Sequence, residues 1–292
     1  MHVILGGTGH IGASLAAALL ARGEDVTVVT RKARNAAALT ARGARAAEVD
    51  IHDTAALRKV FSATPGARVF VLNPPANPSS DPEIEERRSV KAILAALADA
   101  PVAKVVAQST YGAQAGSGIG DLGVLHELER GLAARGVPTT VLRGAYFMTN
   151  WDHAVEMAKT EGKLFTFFPA DFVLPMVAPE DIGRVAAEAM TAAASLGDDR
   201  VISVEGPARY SPNDVAAAFG KALGRRVDAV AIPREAWEPT LEKLGFSAAA
   251  AKSLAGMTDA ALRAAYPRAD EVTRGTTTIE QYVAELLRAR SP

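Results

Sequence analysis

The residues best placed for chemistry come first in the chain: Gly6-Gly7-Thr8-Gly9-His10-Ile11-Gly12, between a short apolar run, His2 to Leu5, and an Ala-rich stretch. Glycines at three-residue spacing after a strand and opening a helix form a dinucleotide fingerprint. Gly6 permits the tight turn, Gly9 lets the backbone approach a pyrophosphate, and Gly12 lets the helix pack close to the strand. The anion would sit on unpaired N–H groups at the positive end of the helix dipole. Thr8, His10 and Ile11 complete the turn, and His10 would meet cofactor or solvent.

The end of the second strand reads Val29-Thr30-Arg31-Lys32-Ala33-Arg34. An acid here would bond the ribose hydroxyls of NAD; three cations replace it, as a 2′-phosphate demands. NADPH or NADP is therefore expected over NAD, the alternative being an ordinary solvated basic loop. From Arg22 to Arg45 the chain holds six basic and two acidic residues, so a near-neutral total conceals a local cationic site. Asp50-Ile51, after the third strand, is the expected adenine contact, or else Asp50 caps a helix starting near Thr54.

Further segments are GGTGHIG, TRKAR, FVLNPP, AQSTYGA, LRGAYFMTNW, VAPEDIGRVAAEAM, VEGPARYSPNDVAAAFGKALGR and RGTTTIEQYV. In this order, over nearly the whole chain, they resemble the NmrA-like family of atypical short-chain dehydrogenase/reductase proteins. That family includes NADPH-dependent reductases, quinone-type ones among them, and cofactor-sensing regulators. The resemblance implies that Leu72, Asn73 and Pro74 line the nicotinamide side, and that Tyr146, Phe147 and Asn150 lie where cofactor and substrate meet. Ser109 matches a Ser of the catalytic region in related dehydrogenases, or caps a strand end. Asp181 is expected to be structural, capping its helix and fixing the return to the sheet.

Typical short-chain dehydrogenases carry a Tyr and a Lys four residues later, the ammonium making the phenol a better acid. None of Tyr111, Tyr146, Tyr210, Tyr266 and Tyr282 has that Lys. Relatives keep a Lys or His about four residues before a Glu on the helix after the fifth strand. Here His126 precedes Glu129 by three, a rotation of about 100° from that register. His126 is a candidate proton donor or orienting group, or a helix-surface His; Tyr111 is a second weak donor. Hydride transfer itself needs no protein base, because the reactive hydride belongs to the cofactor. Seven of the sixteen aromatic residues fall between Ala145 and Met176. Tyr146, Phe147 and Trp151, following a strand's carboxyl end, are expected to face a flat apolar substrate, and most of the others to be core. No His spacing or carboxylate cluster points to a metal.

These residues need a frame. Continuous apolar runs such as VTVV and VFVL alternate with helical stretches at 20 to 30 residue spacing, which predicts an α/β, doubly wound parallel sheet of the Rossmann type with both faces covered. Strands are expected at 2–5, 25–30, 44–49, 68–72, 103–109, 138–143 and 201–204, and helices at 11–22, 81–99 and 121–135. The expected division is a core of 1–144 and 177–205, a substrate lobe of 145–176 and 206–275, and a C-terminal helix, 276–292, packed on the core.

The chain has 292 residues, 32 basic and 33 acidic side chains and no Cys. A net charge of -1 argues against nucleic acid as a bulk partner, and the lack of Cys excludes a disulfide framework, a thiolate metal site and a thiol nucleophile. Any redox chemistry must then belong to a bound cofactor. Ala makes up 60 residues, so the 49% hydrophobic share overstates the buriable surface, which still suffices for a core. Without an export signal or a run long enough to span a bilayer, a cytoplasmic protein is expected. A small-molecule substrate is the expected partner, with a homodimer or a regulatory protein partner left open. Two functions follow: an NADPH-dependent reductase of a small flat apolar acceptor such as a quinone, or a non-catalytic NADP(H)-binding redox sensor.

Overall fold

A computed structural model describes residues 1–193, 199–267 and 272–290. Eight strands form one all-parallel sheet: β1 (His2–Leu5), β2 (Val26–Thr30), β3 (Arg45–Glu48), β4 (Arg68–Val71), β5 (Lys104–Thr110), β6 (Thr139–Gly144), β10 (Arg200–Glu205) and β13 (Val272–Arg274). Their order is β13-β10-β6-β5-β4-β1-β2-β3. The run VTVV lies within β2 and VFV of VFVL within β4, buried on both faces as continuous apolar strands must be, with Leu72 just beyond the end of β4. Alternate residues feed opposite layers. Ile4, Val28, Phe70, Val106 and Leu142 bury against α1 (His10–Ala21) and α7 (Pro179–Thr191), with the short α2 (Ala37–Thr40) beside them. Val3, Val29, Val69 and Val105 bury against α3 (Thr54–Ser62), α4 (Pro82–Leu97) and α5 (Asp121–Ala133). Each fully buried Val, Leu or Ile contributes roughly 1.5–3 kcal/mol.

One glycine brings two helices close. Gly183 of α7 faces Ser14 of α1 so tightly that a Cβ would lie 2.6 Å from the Ser14 Cβ, and the Ser14 hydroxyl donates to the Glu180 carbonyl at 3.1 Å. The carboxyl end of α7 is met by cations from strand starts: Lys104 Nζ donates to the Ala189 carbonyl at 2.7 Å, and Arg68 to that of Met190. Both complement the negative end of the helix dipole.

The smaller lobe holds a three-stranded sheet of β7 (Tyr146–Phe147), β9 (Leu174–Val177) and β11 (Arg209–Tyr210), with β9 central, and a parallel pair, β8 (Lys163–Thr166) with β12 (Asp228–Ala231). Around them stand α6 (Val155–Glu161), α8 (Pro212–Leu223), α9 (Trp237–Lys243), α10 (Ala248–Leu262) and α11 (Ile279–Ala289). Two boundaries differ from expectation. The C-terminal helix α11 does not pack on the core: Ile279, Tyr282, Val283 and Leu287 bury with Trp151 and Phe219 of the lobe. Strand β13, expected within the lobe, extends the main sheet beside β10. Among the described residues no helix is long and apolar enough to cross a membrane.

Candidate functional site

The chain runs outward from β1 through β2 to β3, then crosses to β4 on the other side of β1. The loops after β1 and β4 therefore part at the sheet's carboxyl edge, where open α/β sheets bind ligands. One wall is the glycine turn. Gly6 has φ 69°, and the Gly9 N–H donates to the Gly6 carbonyl at 3.1 Å. A Cβ on Gly12 would lie 2.8 Å from Gly7 Cα, and one on Gly7 would lie 2.7 Å from the Val28 Cβ. Gly9 differs, since its nearest neighbour would be the Gly6 carbonyl at 3.5 Å. The exposed side of the turn is open at Gly9 and closed underneath. Gly9 is the N-cap of α1, with no side-chain cap bond and no acid in the first turn. Those N–H groups are available to an anion. His10 is exposed, its Nδ1 3.8 Å from Glu180 Oε1, and Ile11 is core.

At the end of β2, Arg31, Lys32 and Arg34 are exposed, and no ion pair among the described residues involves them, whereas Arg45 nearby pairs with Asp25 at 3.7 Å. The adjacent acid, Glu48, accepts from the Ala33 N–H at 2.7 Å and so holds the basic turn in place. Asp50 caps no helix. It accepts from the His52 N–H at 2.8 Å, while Asp53 caps α3 by accepting from the Ala56 N–H at 2.9 Å. The Asp50 carboxylate remains exposed beside Ile51.

The opposite wall is the Pro-rich loop after β4. Leu72 packs on the turn, 3.2 Å from where a Gly6 Cβ would stand. Asn73 Nδ2 donates to the Glu86 carbonyl at 3.3 Å, while its Oδ1 is buried without a partner. Together the open face at Gly9, the uncapped amides of α1, the exposed cations and the orphaned Asn73 oxygen fit a dinucleotide.

Beyond this wall the polar residues form two networks. Ser109, 1% exposed, donates to Glu129, which also accepts from Arg143 Nε at 3.0 Å. That bond ties the buried Ser109 hydroxyl to Glu129 of α5. Tyr111 donates to Glu205 Oε1 at 3.2 Å. Glu205, fully buried, also accepts from Arg209 Nη2 at 2.8 Å and Arg274 Nη1 at 3.0 Å. Burial, and then the Glu205 carboxylate, push the Tyr111 phenol well above its ordinary value, so it stays protonated and its hydrogen is engaged. His126 is half-buried on α5 with Nδ1 unpartnered.

The aromatic segment divides. Tyr146 and Phe147 are half-buried at the carboxyl side of β6, with Asn150 exposed one turn on. Trp151, expected against substrate, is 1% exposed and belongs to the lobe core. The helical turn 148–154 carries it inward, and its ring meets Tyr146 edge-on at 5.8 Å. Phe168 and Phe172 stack at 5.7 Å behind Tyr146. Asp181 is structural in a different way from a helix cap: its buried Oδ2 accepts from the Thr277 N–H at 3.0 Å and pins the turn before α11. Sequence reasoning missed Glu86, Glu205, Arg209 and Arg274. For Glu205 a signal existed, an acid closing the apolar strand VISVE.

A model of the NmrA-like family matches residues 2–283. An NAD(P)H azoreductase of Xenophilus azovorans is 26% identical over 245 residues, spanning 84% of this chain and 82% of that protein. Among solved structures, the NADPH-dependent quinone oxidoreductase of Escherichia coli complexed with NADPH has a TM-score of 0.81 at 21% identity, covering 98% of this chain and 100% of that one. The triphenylmethane reductase of a Citrobacter species complexed with NADP(H) has a TM-score of 0.81 at 16% identity, covering 98% and 99%. At such identities the structural likeness speaks for the fold.

Proposed function

The chain belongs to the NmrA-like family, and from that premise we propose that it is an NADPH-dependent reductase of a small, flat, largely apolar acceptor such as a quinone or an azo compound. The observation that carries the reading is the set of exposed cations, Arg31, Lys32 and Arg34, with no carboxylate partner among the described residues, beside an anion-ready glycine turn. Gly6 to Gly12 would hold the pyrophosphate, the three cations the 2′-phosphate, and Asp50 and Ile51 the adenine. Leu72, Asn73 and Pro74 would line the nicotinamide. When bound, NADPH supplies a hydride from its nicotinamide ring. The chain's part is to hold the acceptor against Tyr146 and Phe147 with water largely excluded. Tyr111 is a poor proton source while its hydrogen is held by Glu205, which leaves solvent or His126 to protonate the reduced acceptor.

The engaged Tyr111 also favours a second reading, NADP(H) binding without turnover. Cofactor oxidation against a panel of quinones, azo dyes and enones separates the two. Tight NADPH binding with no turnover on any acceptor would refute the reductase. Arg31→Ala should cost NADPH affinity about 1.5–3 kcal/mol, the range for a charge-assisted hydrogen bond, and NADH affinity much less. Equal losses for both cofactors would remove the phosphate assignment.

A further inference from the structure

We propose that Arg209 and Arg274 form an anion-recognising end to the acceptor cleft, so that the preferred acceptor is a flat aromatic compound carrying a carboxylate or a sulfonate. Its role toward an acceptor rests on the reductase reading above; anion binding does not.

The ends of β4, β5, β6, β10 and β13 follow one another along the carboxyl edge of the sheet. In that order they present Leu72, Tyr111, Tyr146 with Phe147, Glu205 and Arg274. The Ala145 N–H donates to the Val204 carbonyl at 3.0 Å, which sets Glu205 beside Tyr146. The edge therefore runs from the Pro-rich wall through half-buried rings to a charged group. With strands about 4.8 Å apart, three spacings put that group about 14 Å from the end of β4, within the span of a flat two-ring acceptor and its substituent.

The charges there do not balance. Glu205, fully buried, accepts from Arg209 Nε at 3.1 Å and Nη2 at 2.8 Å and from Arg274 Nη1 at 3.0 Å. Tyr111 gives it a neutral hydrogen bond. Two guanidiniums thus share one carboxylate, and one positive charge is left over. Asp181, whose carboxyl group crowds Gly275, does not neutralise it, being engaged by Arg184 and the Thr277 N–H. The cations are also held in place: Arg209 Nη2 donates to the Pro267 carbonyl at 2.6 Å, and Arg274 Nη1 to that of Gly206 at 3.1 Å. Arg209 Nη1 and Arg274 Nε and Nη2 make no hydrogen bond among the described residues, and the two side chains are 30% and 32% exposed. A guanidinium bound along one edge presents its other edge to a second planar anion, and one already fixed loses little freedom on binding it.

The neighbouring rings select an aromatic anion over a small inorganic one. The Arg209 guanidinium lies 5.9 Å from the centroid of the Tyr266 ring, which is 6.4 Å from that of Tyr111. The Tyr266 hydroxyl donates to the Ala261 carbonyl at 3.0 Å, so its ring face is what it offers a ligand.

The test titrates the whole protein calorimetrically, with NADP⁺ present, using naphthalene-2-sulfonate, 2-naphthol and inorganic sulfate. The sulfonate should bind about tenfold tighter than the naphthol, as for one charge-assisted contact at a partly exposed site, and sulfate more weakly than either. That advantage should shrink several-fold between about 50 and about 300 mM NaCl. Arg274→Gln and Arg209→Gln should each cost the sulfonate roughly three- to tenfold and leave the naphthol within about twofold. A wild type that binds the sulfonate no tighter than the naphthol overturns the site, whether or not the variants fold. Folded variants that lose both probes equally, or neither, overturn it too, since a merely structural pair would not distinguish them. Turnover is read with 1,2-naphthoquinone and its 4-sulfonate, whose kcat/KM ratio should fall about fivefold in Arg274→Gln. An unchanged ratio overturns the acceptor preference alone. Sulfonate binding with no NADPH oxidation by either quinone refutes the reductase reading and upholds the anion site.

Discussion

Two single-methyl substitutions in the glycine turn should have opposite signatures. At Gly9 an added Cβ has only the Gly6 carbonyl near it, at 3.5 Å, which is ordinary contact, and its φ of -83° and ψ of 173° suit Ala. The fold therefore accommodates it. A weaker N-cap offsets the gain from a stiffer unfolded chain, and stability should stay within about 0.5 kcal/mol. The methyl projects into the open side of the turn, where the backbone would meet pyrophosphate, so NADPH affinity should fall at least about tenfold, ~1.4 kcal/mol. At Gly12 the same methyl would lie 2.8 Å from both the Gly6 carbonyl carbon and Gly7 Cα, several tenths of an ångström short of contact, and those atoms are backbone. Relief requires α1 to shift from β1, at a cost of about 1–3 kcal/mol as in overpacked cores. Gly12→Ala should lose stability and affinity together, Gly9→Ala affinity alone. Urea denaturation gives the first quantity and quenching of protein fluorescence by NADPH the second. A Gly9→Ala protein that binds NADPH like the wild type would refute the assignment of this turn to the cofactor phosphates.

Other outcomes follow from the buried polar groups. Glu205→Ala takes the shared carboxylate from the partly exposed Arg209 and Arg274 guanidiniums and from Tyr111 and should cost about 2–3 kcal/mol in urea unfolding, whereas Tyr111→Phe removes one donor of several and should cost about 1 kcal/mol. A Glu205→Ala loss no larger than that of Tyr111→Phe would contradict the network. Asp181→Ala strands the Thr277 N–H and should lower stability by about 1–3 kcal/mol, with faster amide exchange at Thr277 as the local sign. Burial holds the His2 imidazole below its ordinary value near 6.5, against the pull of Glu24. The unfolded chain then binds the proton first. His2 contributes stability above about pH 6.5 that is lost as pH falls through its folded value, so His2→Gln should flatten the acid limb of a urea-midpoint profile.

The parallel core was legible because its central strands are buried on both faces, and continuous apolar runs such as Val26–Thr30 have few other uses. The cationic turn was legible because an acid is missing where one is informative. The lobe was not. Strands of two residues, Tyr146–Phe147 and Arg209–Tyr210, carry no period, and Lys163–Thr166 pairs with Asp228–Ala231 across a long stretch of chain. Trp151 misled because its place after a strand's carboxyl end says nothing of the helical turn that rotates it inward. Glu86 sits in EIEERRSV, which has the look of a solvated charged face. Its side chain instead turns inward to the loop just before α4, where it accepts from the Ala76 N–H, and no periodicity in the helix announces that.

The Glu205 carboxylate joins partners far apart in the chain, with Tyr111 94 residues before it and Arg274 69 residues after. Closing loops of that length is entropically costly, so these bonds are expected to form after the sheet has assembled its central strands, which a Tyr111→Phe variant that unfolds faster but folds at the wild-type rate would bear out. Their energy is then absent from the folding barrier and present in the unfolding one. The node that gathers the last strand and the lobe onto the core thus serves as a kinetic clasp, setting how long the folded molecule persists more than how quickly it is reached.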